Sequence, residues 1–240
     1  MRLLLILLLV LQLNSLKADE INYLLKIPSL EVYKLKNINR IKYLSAKKNF
    51  RIGINNNISC NKATKESLNK KFFLIKKNLE KYDAEFLERI NLRFIVLCED
   101  LYISEINTGG IPNHKKRTLI LDLNFNDMYF ERVIHHEIFH IIHNSFKEIF
   151  NETIWSEFND KNFNYAECST CSDRLGLDLY YETKGFLTEY SKSIASEDMA
   201  EVYSFLMIDK INIKNKSKKD SILFNKIKFI ESGIDKINNF

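Results

Sequence analysis

Residues 133–143 read V-I-H-H-E-I-F-H-I-I-H and contain the pattern H-E-x-x-H at positions 136–140. If this stretch is helical, His136 and His140 lie one turn apart on one face, with Cβ atoms about 5–6 Å apart. Both imidazoles can then reach one tetrahedral zinc ion, and Glu137 projects from the same sector of the helix. Metal-assisted hydrolysis needs this combination, because two neutral nitrogens hold the ion and a neighbouring carboxylate takes a proton from the attacking water. The stretch therefore predicts a zinc site on a helix.

The alternative is a buried helix that carries polar residues without a metal. Apolar residues around the motif indicate that the helix lies at least partly in the core: Ile134, Ile138, Phe139, Ile141 and Ile142. In such surroundings, His136, Glu137 and His140 would cost several kcal/mol if they had no partners. We therefore favour the zinc site, and interpret His135 and His143 as packing or surface histidines.

Two histidines do not complete a zinc site, so a further ligand is expected downstream. The metzincin pattern would need glycine at 143 and histidine at 146, where this chain has His143 and Phe146. The other possibility is a glutamate from a second helix. The sequence E-D-M-A-E at 197–201 offers one about 60 residues further on, with small Ala200 where two helices can pack closely.

Two stretches together resemble the zinc-binding metallopeptidases of the gluzincin group: H-H-E-I-F-H at 135–140 and G-F-L-T-E-Y-x6-E-D-M-A-E at 185–201. The chain is also similar to the catalytic domain of anthrax lethal factor, in which a tyrosine lies seven residues before the zinc glutamate. Here Tyr190 precedes Glu197 by seven residues. The resemblance covers about residues 92–207.

This resemblance implies a role for each matching residue. One zinc ion per chain would be held by His136, His140 and Glu197. Glu137 would be the general base, and Tyr190 would donate its hydroxyl to the developing oxyanion. Glu201 would be a carboxylate behind one of the histidines.

The implied fold is an α+β, zincin-like metalloprotease domain. It would be helix-rich with a small sheet, one helix carrying H-E-x-x-H and a second helix carrying the glutamate ligand. Only 6 Gly and 2 Pro interrupt the 240 residues, which also favours helix. Residue patterns predict strands at 92–98 and 118–124, helices at 128–146, 197–211 and 220–238, and a solvated linker at 213–219. The strand at 118–124 is expected to border the cleft and to offer an open edge to an extended substrate.

The first 18 residues are typical of a cleavable signal peptide: a short basic start, an apolar run from Leu3 to Leu13, and small Ala18 before an acidic pair. The run is shorter than the roughly 20 residues that span a bilayer, which argues against an uncleaved anchor. We therefore expect a periplasmic or secreted protein. Residues 19–60 are interpreted as an N-terminal extension packed on a catalytic domain at 61–240.

The four cysteines of an exported chain predict disulfides, and four cysteines allow three pairings. Cys168 and Cys171 form a C-x-x-C, which could instead be redox-active or half of a second zinc site. Because the chain has no second C-x-x-C and no thioredoxin-like strand before this one, a local disulfide is favoured. Cys60 and Cys98 are then expected to form the other bridge.

Removal of residues 1–18 lowers the formal charge from +5 to 34 − 31 = +3, which is too weak to indicate nucleic-acid binding. The best-supported function is an exported zinc metallopeptidase, most simply an endopeptidase, that acts on peptides or proteins without stable membrane insertion. One alternative is a catalytically silent binding protein with the zinc fold, against which the intact Glu137 argues. An exopeptidase or amidase would need a charged subsite, and a cell-wall or nucleic-acid module has only Tyr180 and Tyr181 in its favour.

Overall fold

The computed structural model describes residues 30–32, 39–171, 173, 175–180 and 183–239. The predicted signal peptide, residues 1–18, lies outside them. None of the helices in this part of the chain has both the length and the apolar character that crossing a membrane requires.

Six α-helices are present in the described residues: α1 Lys65–Leu79, α2 Ala84–Arg89, α3 Asp127–Ser145, α4 Glu152–Ser156, α5 Ala195–Ser217 and α6 Ser221–Asn238. Side-chain oxygens that accept a first-turn N–H stabilise several helix starts. Thr64 caps α1, Asn126 caps α3 and Asp220 caps α6 in this way. These helices and a small sheet make the mixed α and β architecture that the sequence predicted.

The predicted linker at 213–219 is mostly helix, because α5 continues to residue 217. Ile213 is 1% exposed within the core, and Lys214 forms an ion pair with Glu231 of α6 at 2.7 Å. Packing against α6 therefore outweighs the polar composition of this tract. Asp209 alone departs from helical geometry inside α5, with φ −144° and ψ 48°.

In the part of the chain that the structure describes, eight strands form the sheet: β1 Leu30–Val32, β2 Lys42–Ala46, β3 Phe50–Ile52, β4 Ile58–Asn61, β5 Phe94–Ile103, β6 Ile106–Asn107, β7 Gly110–Asn113 and β8 Thr118–Asp122. The long strand β5 organises it. Its first half pairs in parallel with β2 and β8, and its second half pairs antiparallel with β4 and β6. Strands β1 to β3 and most of β4 come from the segment predicted as an N-terminal extension, so its described residues are part of this sheet.

The predicted open edge at 118–124 is wrong. Strand β8 lies between β5 and β7, so both of its sides are paired. Among the described residues, β7 pairs with β8 alone and borders the sheet beside α3. This strand is difficult to recognise from the sequence, because Gly110 and Pro112 are typical of loops. An edge strand nevertheless tolerates proline.

Alternating residues of β5 face two apolar layers. Ile95 and Leu97 belong to the main core with α3 and α5, whereas Val96 and Cys98 belong to a smaller cluster on the other side of the sheet. The disulfide Cys60–Cys98 joins β4 to β5 in that smaller cluster. The second disulfide, Cys168–Cys171, lies in the segment between α4 and α5, so both predicted bridges are present.

Candidate metal centre

Helices α3 and α5 pack against each other and bring three side chains into one group, in which His136 and Glu197 are buried and His140 is half-buried. His136 Nε2 lies 2.9 Å from Glu197 Oε2. His140 Nε2 lies 3.1 Å from the same oxygen and 3.1 Å from His136 Nε2. The three atoms therefore form a nearly equilateral triangle, with two corners one turn apart on α3 and the third on α5.

This triangle fits a zinc ion. Metal–ligand bonds of about 2.0–2.1 Å at tetrahedral angles place neighbouring ligand atoms about 3.3 Å apart. Two imidazole nitrogens with one carboxylate oxygen are a known donor set for catalytic zinc. Within the described part of the chain, it is the one group of three His, Cys, Asp or Glu side chains whose ligand atoms lie within 4.8 Å of one another.

Glu201 lies behind His136, one turn after Glu197 on α5. Its Oε1 is 2.8 Å from His136 Nδ1, while its Oε2 accepts a 2.8 Å hydrogen bond from Thr188 Oγ1. Arg132, one turn before His136 on α3, forms a buried ion pair with the same Oε2. Both oxygens of the Glu201 carboxylate thus have partners. Because Nδ1 of His136 contacts Glu201, the other ring nitrogen, Nε2, faces His140 and Glu197.

Negative charge accumulates around these ligands. Burial lowers the pKa of His136, but the hydrogen bonds and charges of Glu197 and Glu201 outweigh it and raise that pKa to about 10. Although burial acts in the opposite direction, His140 and His136 hold the pKa of Glu197 far below its usual value. The carboxylates therefore draw positive charge into the site, as binding of a divalent cation requires.

Glu137 lies beside the triangle, where α3 meets the edge of the sheet. Burial raises the pKa of this carboxyl to about 7, and Glu197 and Glu201 add to the effect, while His136 and His140 oppose it. Strand β7 approaches it closely, since a Cβ on Gly110 would lie 2.7 Å from Glu137 Cγ. Only glycine fits at this approach without displacing the glutamate.

Tyr190 begins a short 3-10 turn, Tyr190–Lys192, just before α5. Its ring centroid lies 6.0 Å from that of His136. Burial raises the pKa of the Tyr190 phenol well above its ordinary value, the charges of Glu197 and Glu137 add to this, and a hydrogen bond with Ser169 acts in the opposite direction. The hydroxyl therefore stays protonated beside the metal-ligand group.

His135 and His143 have partners outside the triangle. His135 is fully buried, with Nδ1 2.6 Å from Tyr82 Oη and Nε2 2.9 Å from Asn78 Oδ1. His143 stacks on Phe139 with an interplanar angle of 9° and lies 3.5 Å from Glu152. Both positions agree with the packing role expected from the sequence.

Three polar residues near the site were not identified from the sequence. Helical spacing could have identified Arg132, because it lies four residues before His136 and hence on the same helix face. Thr188 and Ser169 lie in irregular segments, where no periodicity indicates which side chains converge.

A buried ion pair between Asp198 and Lys226 lies next to the metal-ligand group. Asp198, the residue after Glu197, accepts hydrogen bonds at Oδ2 from Lys226 Nζ at 2.6 Å, Tyr165 at 2.6 Å and Trp155 at 2.9 Å. Lys226, on α6, also donates to the carbonyl of Gly185 at 2.7 Å. Helix α6 is thereby tied to the first turn of α5 and to the segment that leads to Tyr190.

The chain is similar to one known protein family and to a solved structure. The model of a family described as "Putative zinc-binding metallo-peptidase" matches residues 110–233, which is more than half of the chain. A crystal structure described as a putative zinc-binding metallo-peptidase from Bacteroides caccae is similar, with 20% sequence identity over 92% of this chain and 83% of that chain, at a TM-score of 0.44. No curated protein matches the chain. The matched residues 110–233 include the edge strand β7, the triangle and Tyr190.

Proposed function

We propose, since the chain belongs to the putative zinc-binding metallo-peptidase family, that it is an exported zinc endopeptidase acting on peptides or proteins. Membership of this family was predicted from the motifs and is confirmed. The observation that carries the proposal is the triangle of buried His136, half-buried His140 and buried Glu197, with Glu137 beside it. The likeness to the lethal-factor domain stays a prediction from the spacing of Tyr190 and Glu197.

In the proposed mechanism, His136, His140 and Glu197 would hold one zinc ion per chain. When bound, zinc supplies Lewis-acid polarisation of the scissile carbonyl and lowers the pKa of water. Glu201 accepts a hydrogen bond from the Nδ1–H of His136, which fixes the tautomer whose Nε2 is free to bind metal. Arg132 and Thr188 hold Glu201 in that position.

Glu137 is the proposed general base. Its carboxylate takes a proton from the attacking water and then delivers it to the nitrogen of the leaving amine. A base works best when its pKa is close to the operating pH, and burial moves the pKa of Glu137 in that direction. Its neighbour Tyr190 donates its hydroxyl hydrogen to the oxygen of the scissile carbonyl as negative charge develops there.

Strand β7 is the proposed substrate-binding edge, in place of the strand first expected. An extended peptide can add to an unpaired sheet edge through main-chain hydrogen bonds. Gly110, where β7 begins, lies against Glu137. A peptide paired along Gly110–Asn113 would therefore lie close to the proposed base, Glu137.

Export is the proposed location. The two disulfides are typical of proteins from oxidising compartments, and the first 18 residues match a signal peptide. We propose cleavage after Ala18 and a periplasmic or secreted mature chain.

The function is tested on the chain purified after export, by measuring its metal content and its cleavage of a mixed peptide library. One equivalent of zinc with internal cleavages is expected. Glu137→Gln should keep the zinc and lose about 10²- to 10⁴-fold in rate, because the side chain is the base and not a ligand. Exposed Glu148 provides the control, and Glu148→Gln should match the parent.

Other outcomes separate the alternatives. Zinc without turnover would identify a silent binding protein, and cleavage confined to chain ends would identify an exopeptidase. Near-parental activity of Glu137→Gln would contradict the mechanism.

A further inference from the structure

The turn that carries Tyr190 is closed by two side chains that bind each other's backbone. The N–H of Ser191 donates to Thr188 Oγ1 at 3.0 Å, and the N–H of Thr188 donates to Ser191 Oγ at 3.2 Å. Both residues are 0% exposed, so water does not compete for these bonds. The carbonyl of Tyr190 also accepts from the N–H of Ser193 at 3.0 Å. The backbone is therefore held on both sides of Tyr190.

Thr188 connects this turn to Glu201. Its Oγ1 donates to Glu201 Oε2 at 2.8 Å, and because a carboxylate oxygen only accepts, the single hydroxyl hydrogen of Thr188 is used there. In the 3.0 Å contact between the two hydroxyl oxygens, Ser191 is therefore the donor. Glu201 Oε1 lies 2.8 Å from His136 Nδ1. One carboxylate thus contacts both a proposed metal ligand and the turn of Tyr190.

Arg132 makes a second connection between the same two places. It forms an ion pair with Glu201, and its Nη2 donates to the carbonyl of Leu177 at 2.7 Å. The residue before Leu177, Gly176, accepts the backbone N–H of Tyr190 at 3.0 Å. The Glu201 carboxylate is therefore linked to the backbone of Tyr190 by two separate chains of hydrogen bonds.

The proposed mechanism needs the metal and the Tyr190 hydroxyl to meet at one substrate oxygen. The ring centroids of His136 and Tyr190 lie 6.0 Å apart, although the two residues belong to different segments. Small errors in such spacing lower reaction rates steeply. We propose that Thr188 is a positioning residue, whose hydrogen bond to Glu201 fixes the turn of Tyr190 relative to His136. The inference rests on the proposed function.

Kinetics and metal analysis of the exported, zinc-loaded protein test it. Thr188→Val keeps the shape of the side chain and removes its hydroxyl. Its kcat should fall about ten- to 100-fold, the range expected for one hydrogen bond to a charged group, with KM and zinc content unchanged. Thr188→Ser keeps the hydroxyl and should retain most of the activity. Thr153→Val, at an exposed position on α4, is the matched control. A parental kcat for Thr188→Val, or an equal loss in Thr153→Val, would overturn the inference.

The decisive measurement combines Thr188→Val with Tyr190→Phe. If Thr188 acts through the Tyr190 hydroxyl, its removal has no further effect once that hydroxyl is absent. The same loss in both backgrounds would mean that Thr188 acts on His136 alone, and a loss of zinc that accounts for the lower kcat would overturn the inference as well. A fully active Tyr190→Phe would remove the proposed role of Tyr190 itself. An impaired Tyr190→Phe beside a fully active Thr188→Val would overturn only the role of Thr188.

A second variant and a measurement without turnover keep the test independent of how well Thr188→Val folds. Ser191→Ala removes the partner hydroxyl without adding bulk and should lower kcat about two- to tenfold, again only when the Tyr190 hydroxyl is present. In the zinc-free chain, amide hydrogen exchange across residues 188–193 should be faster in Ser191→Ala than in Thr153→Val. Unchanged exchange with unchanged kcat in Ser191→Ala would show that these bonds do not hold the turn.

Discussion

The site is made of two unlike halves. The helical half, on α3 and α5, contributes His136, His140, Glu197 and Glu201, and their spacing follows from the helical repeat. The loop half contributes Tyr190, whose place depends on a three-residue turn, two backbone hydrogen bonds and the nearby Cys168–Cys171 disulfide. Metal ligands need donor atoms fixed to within a fraction of an ångström, which packed helices provide. A hydroxyl donor can instead be carried by an irregular segment, provided that cross-links hold the segment in place.

The largest expected effect separates the two glutamates of the helical half. Glu197→Ala removes a ligand and leaves two, so the purified variant should contain essentially no zinc and show no activity. Glu201→Ala removes a partner of His136, a loss that typically costs about 10- to 100-fold in affinity or activity, so it should contain zinc that a chelator removes more readily. Metal analysis before and after chelation measures both. An empty Glu201→Ala beside a loaded Glu197→Ala would exchange their roles.

In the loop half, Tyr190→Phe should bind zinc normally and lose about 10²- to 10³-fold in kcat, because one oxyanion donor is missing. Tyr180→Phe, in the same irregular region, is the control and should stay active. Steady-state kinetics with metal analysis distinguishes the two halves, because a change in the loop half should lower turnover and leave the zinc content unchanged. Loss of zinc from Tyr190→Phe would show that the halves are not independent.

Gly110→Ala tests the contact between the sheet edge and the helical half. The added methyl would lie 2.7 Å from Glu137 Cγ, and overpacking typically costs about 1–3 kcal/mol. If that strain displaces Glu137, kcat should fall by roughly five- to 150-fold, while zinc stays bound. Lys115→Ala, at an exposed position just beyond β7, is the control. A Gly110→Ala variant with parental kinetics would show that the strand can move away without consequence.

The smallest effect on turnover is expected from the disulfides, whose removal should mainly lower the stability of the fold. Loop entropy predicts that Cys60–Cys98, with a sequence separation of 38, contributes about 4 kcal/mol to the free energy of unfolding. The short loop of Cys168–Cys171, with a separation of 3, should contribute about 2 kcal/mol. Urea unfolding of the two paired alanine variants measures the difference. A larger loss for the Cys168–Cys171 pair would mean that this short loop stabilises the fold more than its loop entropy predicts.

The helical half of the site was more predictable from the sequence than the loop half. The helix of the H-E-x-x-H motif and the convergence of Glu197 with it follow from helical spacing and the resemblance, because regular elements repeat in sequence as they do in space. The disulfide pairing followed from elimination among four cysteines.

The remaining features depend on contacts between distant residues. The edge strand β7 is not recognisable from its residue types, because Gly110 and Pro112 suit a close approach and an edge position and have low strand propensity. The linker at 213–219 became helix because α6 packs against it.

The ion pair of Lys226 and Asp198 sets the order in which the site is completed. Asp198 is 0% exposed, and a buried carboxylate without its cation is strongly destabilising. During synthesis, the zinc motif and Glu197 emerge before helix α6, so a nascent chain that ends before residue 226 contains every proposed ligand but lacks this counter-charge. The catalytic arrangement is therefore expected to form only after helix α6 has been made.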